Sequence, residues 1–143
     1  MSFTNCLVVM AGGALGTLVR YLVSLAALPI SGRLPVGTII INVTGSLLIG
    51  FFGTLTLANG RYPASDGLRL FVMIGFCGGY TTFSSFSLQT LDLIRSGGAA
   101  RAAINIIVSV VLCVGAVALG HLAAAQLNGG ARPIAQAAIE EEG

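Results

Sequence analysis

Charge is missing from most of this chain, and it is missing in blocks. Leu34 to Gly60 has no charged side chain in 27 residues, Leu70 to Leu91 none in 22, Ala102 to Ala131 none in 30, and Met1 to Val19 none in 19. A bilayer core about 30 Å thick is crossed by roughly 20 apolar helical residues. The blocks therefore predict four transmembrane helices, over residues 3–28, 35–58, 68–94 and 99–127. A membrane barrel would instead alternate apolar and polar residues in segments of about 10, and no such alternation is present. Composition agrees. Charged residues make up 8% of the chain, against about 25% in soluble domains, and mean hydropathy is +0.94. An ordinary soluble globule, a disordered chain and a nucleic-acid binder with a basic stripe are all excluded. The solvent for most of this protein is the lipid bilayer.

Short turns separate the spans. Pro29, Gly32 and Pro35 flank the first connection, Asn59-Gly60 and Pro63 the second, and Ser96-Gly97-Gly98 the third, with Asp66 as the expected N-cap of the third span. The first span is not read as a signal peptide, because no basic residue precedes it and it continues past Arg20. Residues 1–130 read as one transmembrane domain; residues 131–143, ending in Glu140-Glu141-Glu142, read as a solvated, disordered polar tail.

Orientation is the less usual part of this reading. Four spans put Arg61, Arg69 and Arg132 on one side and Arg33, Arg95 and Arg101 on the other. Orientation follows the Lys and Arg excess near span ends, so an even split specifies it weakly. Copies inserted both ways and paired as an antiparallel, dual-topology homodimer would fit such a split; so would a chain with too few charges to judge. Gly12-x-x-x-Gly16, Ser46-x-x-x-Gly50 and Gly75-x-x-x-Gly79 are small-xxx-small patterns that predict close helix packing, within or between subunits.

Polar residues inside spans are costly and mark cavities or partners. Arg20 either snorkels to the interface or supplies a fixed positive charge that draws anions to a vestibule. Asn42, one helical turn after Thr38, either bonds a neighbouring helix or offers amide N–H groups to an anion. The third span contains Gly78-Gly79-Tyr80-Thr81-Thr82-Phe83-Ser84-Ser85-Phe86-Ser87. Its glycines and hydroxyls do not suit an uninterrupted helix, and they predict a break near Gly78–Thr81. Carbonyls freed at a break can hold a hard cation, while amides opening the next half-helix favour anions. Phe83 and Phe86 then share a face, with Ser84 and Ser87 beside it. Phenyl rings have a positive edge, so this pair is either packed core or a lining for a small anion.

These residues resemble the Fluc (CrcB) fluoride channels. The likeness rests on Gly78-Gly79-x-Thr81-Thr82-Phe83-Ser84-Ser85-Phe86, Gly37-Thr38-x-x-x-Asn42-x-x-Gly45 and Gly16-x-x-x-Arg20-Tyr21, and it extends from Ala11 to about Cys113. It implies an antiparallel homodimer with two fluoride pores and a structural Na⁺ at the subunit interface. By motif position, the backbone carbonyls of Gly78 and Thr81 would hold the Na⁺. Asn42, Phe83, Phe86, Ser84, Thr82, Ser109 and Arg20 would form the fluoride pathway. Asn105, Ser109 and Cys113 fall at i, i+4 and i+8 and could supply the family's polar stripe on the fourth helix. Ser85 stands where Thr is usual and Gln89 where many relatives have Glu. The implied biology is export of cytosolic fluoride across the plasma (inner) membrane of a microbe, which lowers its toxicity.

Proton coupling needs an ionisable relay in the membrane. The acid nearest a span interior is Asp92, read as a helix-end partner of Arg95, and His121 reads as interfacial or hydrogen-bonded packing. Passive conduction is therefore expected. Cys6, Cys77 and Cys113 show neither disulfide nor zinc spacing, and no catalytic set is present, so an enzyme is not expected. Two other readings stand beside the channel. A small dual-topology multidrug-type exporter would need a buried carboxylate for cationic drugs. A non-transporting accessory subunit would be held by its Gly-rich faces.

Overall fold

The computed structural model describes residues 2–130. The polar tail expected over residues 131–143, and Arg132 in the charge count, lie outside the described residues. Helix α1 is Phe3–Ala26, α2 is Val36–Leu55, α3 covers residues 66–80, α4 is Phe83–Arg95 and α5 is Ala99–Leu127; no strand occurs among the described residues. With α3 and α4 together forming the third crossing, Asp66–Arg95, four helical segments of 24, 20, 30 and 29 residues are long and apolar enough to cross a membrane.

The ends shift by a few residues from the expected spans, for local reasons. Helix α1 stops at Ala26 because the chain tightens into a 3-10 turn, Leu28–Ile30, around Pro29. The third crossing begins at Asp66, but Asp66 is not its cap as expected. Ser65 takes that place, its hydroxyl accepting from Leu68 N–H at 3.3 Å, and Asp66 lies in the first turn where a negative charge meets the positive helix end.

Glycine decides which helices touch. Residues Leu70–Cys77 of α3 are wound as a wider π-helix, and α1 packs against this stretch. A Cβ on Gly75 would lie 2.9 Å from Gly12 Cα, and one on Gly79 would lie 2.5 Å from Gly13 O. On the other side, Gly50 and Gly120 bring α2 and α5 together, a Cβ on Gly50 falling 2.5 Å from Val117 O. The small-xxx-small patterns thus serve packing within the subunit. Only Gly12 and Gly16 are buried on α1, while apolar side chains such as Met10, Leu18, Ile107 and Val114 face outward. That is the pattern of helices solvated by lipid.

The C-terminal end of α2 is closed by side chains from elsewhere. A helix leaves its last four carbonyls without intrahelical donors. Here Phe52 O accepts from Thr56 N–H at 3.1 Å and from Thr56 Oγ1 at 2.7 Å. Gly53 O accepts from Arg69 Nη1 at 3.2 Å. Thr54 O and Leu55 O accept from Asn128 Nδ2 at 2.9 and 3.3 Å. Arg69, counted in the sequence among the connection charges, is instead 5% exposed and also reaches Thr56 O and Oγ1. Its positive charge sits at the negative end of the α2 dipole. His121 is held by hydrogen-bonded packing, Nδ1 lying 3.0 Å from Thr54 Oγ1.

Candidate functional site: a capped break in the third crossing

Tyr80 is the last residue of α3. Thr81 turns extended at ψ 158°, Thr82 follows at φ −152° and ψ 108°, and α4 starts at Phe83. The break falls on Thr81–Thr82. Gly78 and Gly79, the expected weak point, remain helical, and Gly79 serves the close approach to α1. Thr81 closes the end of α3, its N–H and Oγ1 both donating to Cys77 O at 2.9 Å.

Asn42 holds the break from α2. Its Oδ1 accepts from Thr82 N–H at 2.7 Å and its Nδ2 donates to Thr82 O at 3.0 Å. One amide side chain thereby satisfies both backbone groups of an extended residue midway along the third crossing. Three residues on, Gly45 leaves room for Thr81 and for the Tyr80 ring, whose Cδ1 would be 3.2 Å from a Cβ there. The Tyr80 hydroxyl lies 2.8 Å from Thr44 Oγ1. Thr82 then caps α4: its Oγ1 accepts from Ser85 N–H at 3.2 Å and donates to Ser85 Oγ at 3.0 Å, with Ser84 Oγ 3.2 Å away.

These bonds have a consequence for the carbonyls of Gly78 and Thr81. In a continuous helix they would accept from the amides of Thr82 and Ser85. Those amides are taken by Asn42 Oδ1 and Thr82 Oγ1. Two carbonyl oxygens one turn apart are thus released from helical pairing, and a small hard cation is the kind of ligand such oxygens suit.

Beyond the cap, Phe83 and Phe86 lie with ring centroids 5.4 Å apart and planes tilted by 43°. Phe83 is 77% exposed, so within the subunit it is not core. Ser87 Oγ is turned back to Phe83 O at 2.9 Å. Asn105 and Ser109 are buried on α5 and Cys113 is half-buried. Arg20 is half-buried on α1 and stands outside the hydrogen-bonded group of Asn42, Thr82, Ser84 and Ser85. Asp92 forms no ion pair with Arg95; it lines a cavity of about 520 Å³ together with Arg33, Ser31, Thr38, Gln89 and Ser96, where the first connection meets the end of α4.

Several contributors escaped the sequence reading. Ser65 carried a cap signal, being a hydroxyl residue at a helix start. Arg69 and Asn128 carried none, because their partners lie in other elements.

Four membrane-long helices around a hydrogen-bonded break define a small multi-pass membrane protein. The profile of the family described as "CrcB-like protein, Camphor Resistance (CrcB)" matches residues 7–121. A protein of Methylobacterium radiotolerans named fluoride-specific ion channel FluC is 70% identical over 143 residues, covering 100% of both chains. Proteins of the same name from Gluconobacter oxydans and Rhodospirillum rubrum are 68% and 51% identical, over 99% and 87% of this chain and 99% and 97% of their own. The chain belongs to the CrcB family of membrane proteins.

Proposed function

We propose that this protein is a fluoride-selective passive channel, working as an antiparallel, dual-topology homodimer with two pores in the plasma membrane and exporting cytosolic fluoride to lower its toxicity. The observation that carries this reading is the Phe83–Phe86 pair. Phe83 is left uncovered and Phe86 only half-covered by their own subunit, yet both stand at the head of a half-helix anchored midway along the third crossing. Relatives named as fluoride channels support the choice of ion.

A desolvated anion needs positive partners in place of water. Phenyl edges supply weak ones that do not bind too tightly to release. Hydroxyls of Ser84 and Ser109 supply donors, and Thr82, whose own proton goes to Ser85 Oγ, holds the start of α4 in place beside them. Asn42 keeps one amide hydrogen beyond the one it gives to Thr82 O, and it fixes the backbone from which Phe83 projects. Arg20 adds positive potential near the end of α1. The released carbonyls of Gly78 and Thr81 would hold a structural Na⁺, which supplies fixed positive charge between the subunits. The cavity beyond Phe86, lined by Gln89 and Leu93 on the same helix and by Ser96 at its C-cap, is the opening to water.

Passive flow follows from the charge inventory: the acids among the described residues, Asp66 and Asp92, belong to helix ends rather than to a relay. The same placement leaves no buried carboxylate among the described residues for a cationic drug. The deciding experiment is fluoride efflux from liposomes holding only the purified protein. Efflux without added protons, lost in Phe83→Ile and Asn42→Ala, is the expected result. A stoichiometric proton requirement, or no efflux at all, overturns the reading, the second in favour of an accessory subunit.

A further inference from the structure

We infer that Thr90 is a positioning residue for the anion pathway, setting the rotation of α4 through a hydrogen-bonded link to α5; the inference rests on the proposed role of Phe83 and Phe86. Helix α4 buries a single residue, and that residue is Thr90. A half-helix in lipid is ordinarily located by an apolar stripe, and this one is located by a hydroxyl instead. Thr90 Oγ1 has one proton, which it donates to Phe86 O at 2.7 Å. Its lone pairs are therefore what face α5, and there Asn105 Nδ2 donates to it at 2.9 Å.

The direction of the link is forced. Were the Asn105 amide turned over, its carbonyl oxygen would face an oxygen with no proton left to give. Asn105 is 0% exposed and its Oδ1 has no partner among the described residues, so Thr90 alone orients the amide. The link ends on the carbonyl of Phe86, one of the two pathway rings, one helical turn from Thr90.

Two tethers therefore hold α4. Asn42 grips Thr82 at its first end, and Asn105 grips Thr90 two turns later. The first fixes where the helix starts and the second fixes its azimuth. A small rotation about the helix axis would open the Thr90–Asn105 bond and swing both rings together. Packing of the rings holds that rotation only in part, since Phe83 is 77% exposed and Phe86 is half-buried.

The test compares Thr90→Val, which keeps the shape and removes the hydroxyl, with Thr90→Ser, which keeps the hydroxyl, in the full chain reconstituted in liposomes. Fluoride efflux per folded protein should fall about tenfold or more in Thr90→Val, the scale of one lost hydrogen bond, and stay within about twofold in Thr90→Ser. The fluoride-to-chloride permeability ratio should fall with it, a change that loss of stability alone does not cause. A ¹⁹F label on the ring of residue 86 reads the position of the ring in detergent: its shift should move in Thr90→Val and return in Thr90→Ser. Unchanged efflux, selectivity and ¹⁹F shift in Thr90→Val overturn the inference while leaving the channel reading intact. If Thr90→Val fails to fold, efflux in Thr90→Ser as low as that of Phe86→Ile, with a ¹⁹F shift displaced from wild type, overturns it too. If Phe83→Ile and Phe86→Ile conduct like wild type, it is the phenylalanine reading that falls.

Discussion

At the scale of single residues, Asn42 shows how one side chain can take two readings and satisfy both. As an interhelical bond it pairs the backbone of Thr82 on both sides; as a pathway group it retains one amide hydrogen. Asn42→Asp separates these roles from mere size. The carboxylate keeps the shape but loses the donor and faces Thr82 O, so the third crossing should lose about 1–3 kcal/mol, the cost of an unpaired buried group. The readout is a lower thermal midpoint in detergent together with lost fluoride efflux. Asn42 was legible as important because a polar amide inside an apolar run is costly. Its partner was not legible, because Thr82 is 40 residues away along the chain and only the crossing of α2 with the break brings them together.

At the scale of elements, the third crossing and the end of α2 are both governed by where backbone groups find partners. The break was legible to within a few residues. The glycines pointed slightly early, because Gly79 is spent on the contact with α1 rather than on backbone freedom. Adding a side chain at that contact should be damaging: Gly75→Val places atoms where Gly12 Cα and Val9 O already lie 2.9 Å from a Cβ. Loss of the folded protein by size-exclusion profile, rather than a selective loss of conduction, is the expected outcome. Arg69→Met tests the closure of α2. It strips donors from Gly53 O and Thr56 O, and charged hydrogen bonds of this kind are worth about 1.5–3 kcal/mol. Thermal unfolding should shift down, while efflux per folded protein stays near wild type. A conduction defect without a stability defect would contradict a purely capping role.

At the scale of the whole molecule, the outward faces are apolar and Phe83 is uncovered, which suits a second copy as well as lipid. The proposed antiparallel pairing has a consequence for insertion. Adding two arginines to the second connection, as Tyr62→Arg with Pro63→Arg, should bias all copies to one orientation. Such a variant expressed alone should give vesicles without fluoride efflux. Co-expression with a variant biased the other way, Ser96→Arg with Ala100→Arg, should restore it. Full efflux from either biased variant alone would exclude an obligate antiparallel pair. Arg69 belongs to this scale too, for its burial in the finished fold leaves Arg61 as the exposed arginine of the second connection among the described residues.

The chain's linear pattern determined the solvent, the four crossings, the place of the polar break and the family, because hydropathy, charge spacing and a contiguous motif are all properties of neighbours along the sequence. It could not determine which helix face meets which. That depends on the rotation of each helix about its axis, and a one-residue change turns a face by about 100°. Only the tertiary structure therefore decided that Asn42 holds Thr82, that Arg69 and Asn128 close α2, and that Thr90, the one buried residue of α4, is bound to Asn105.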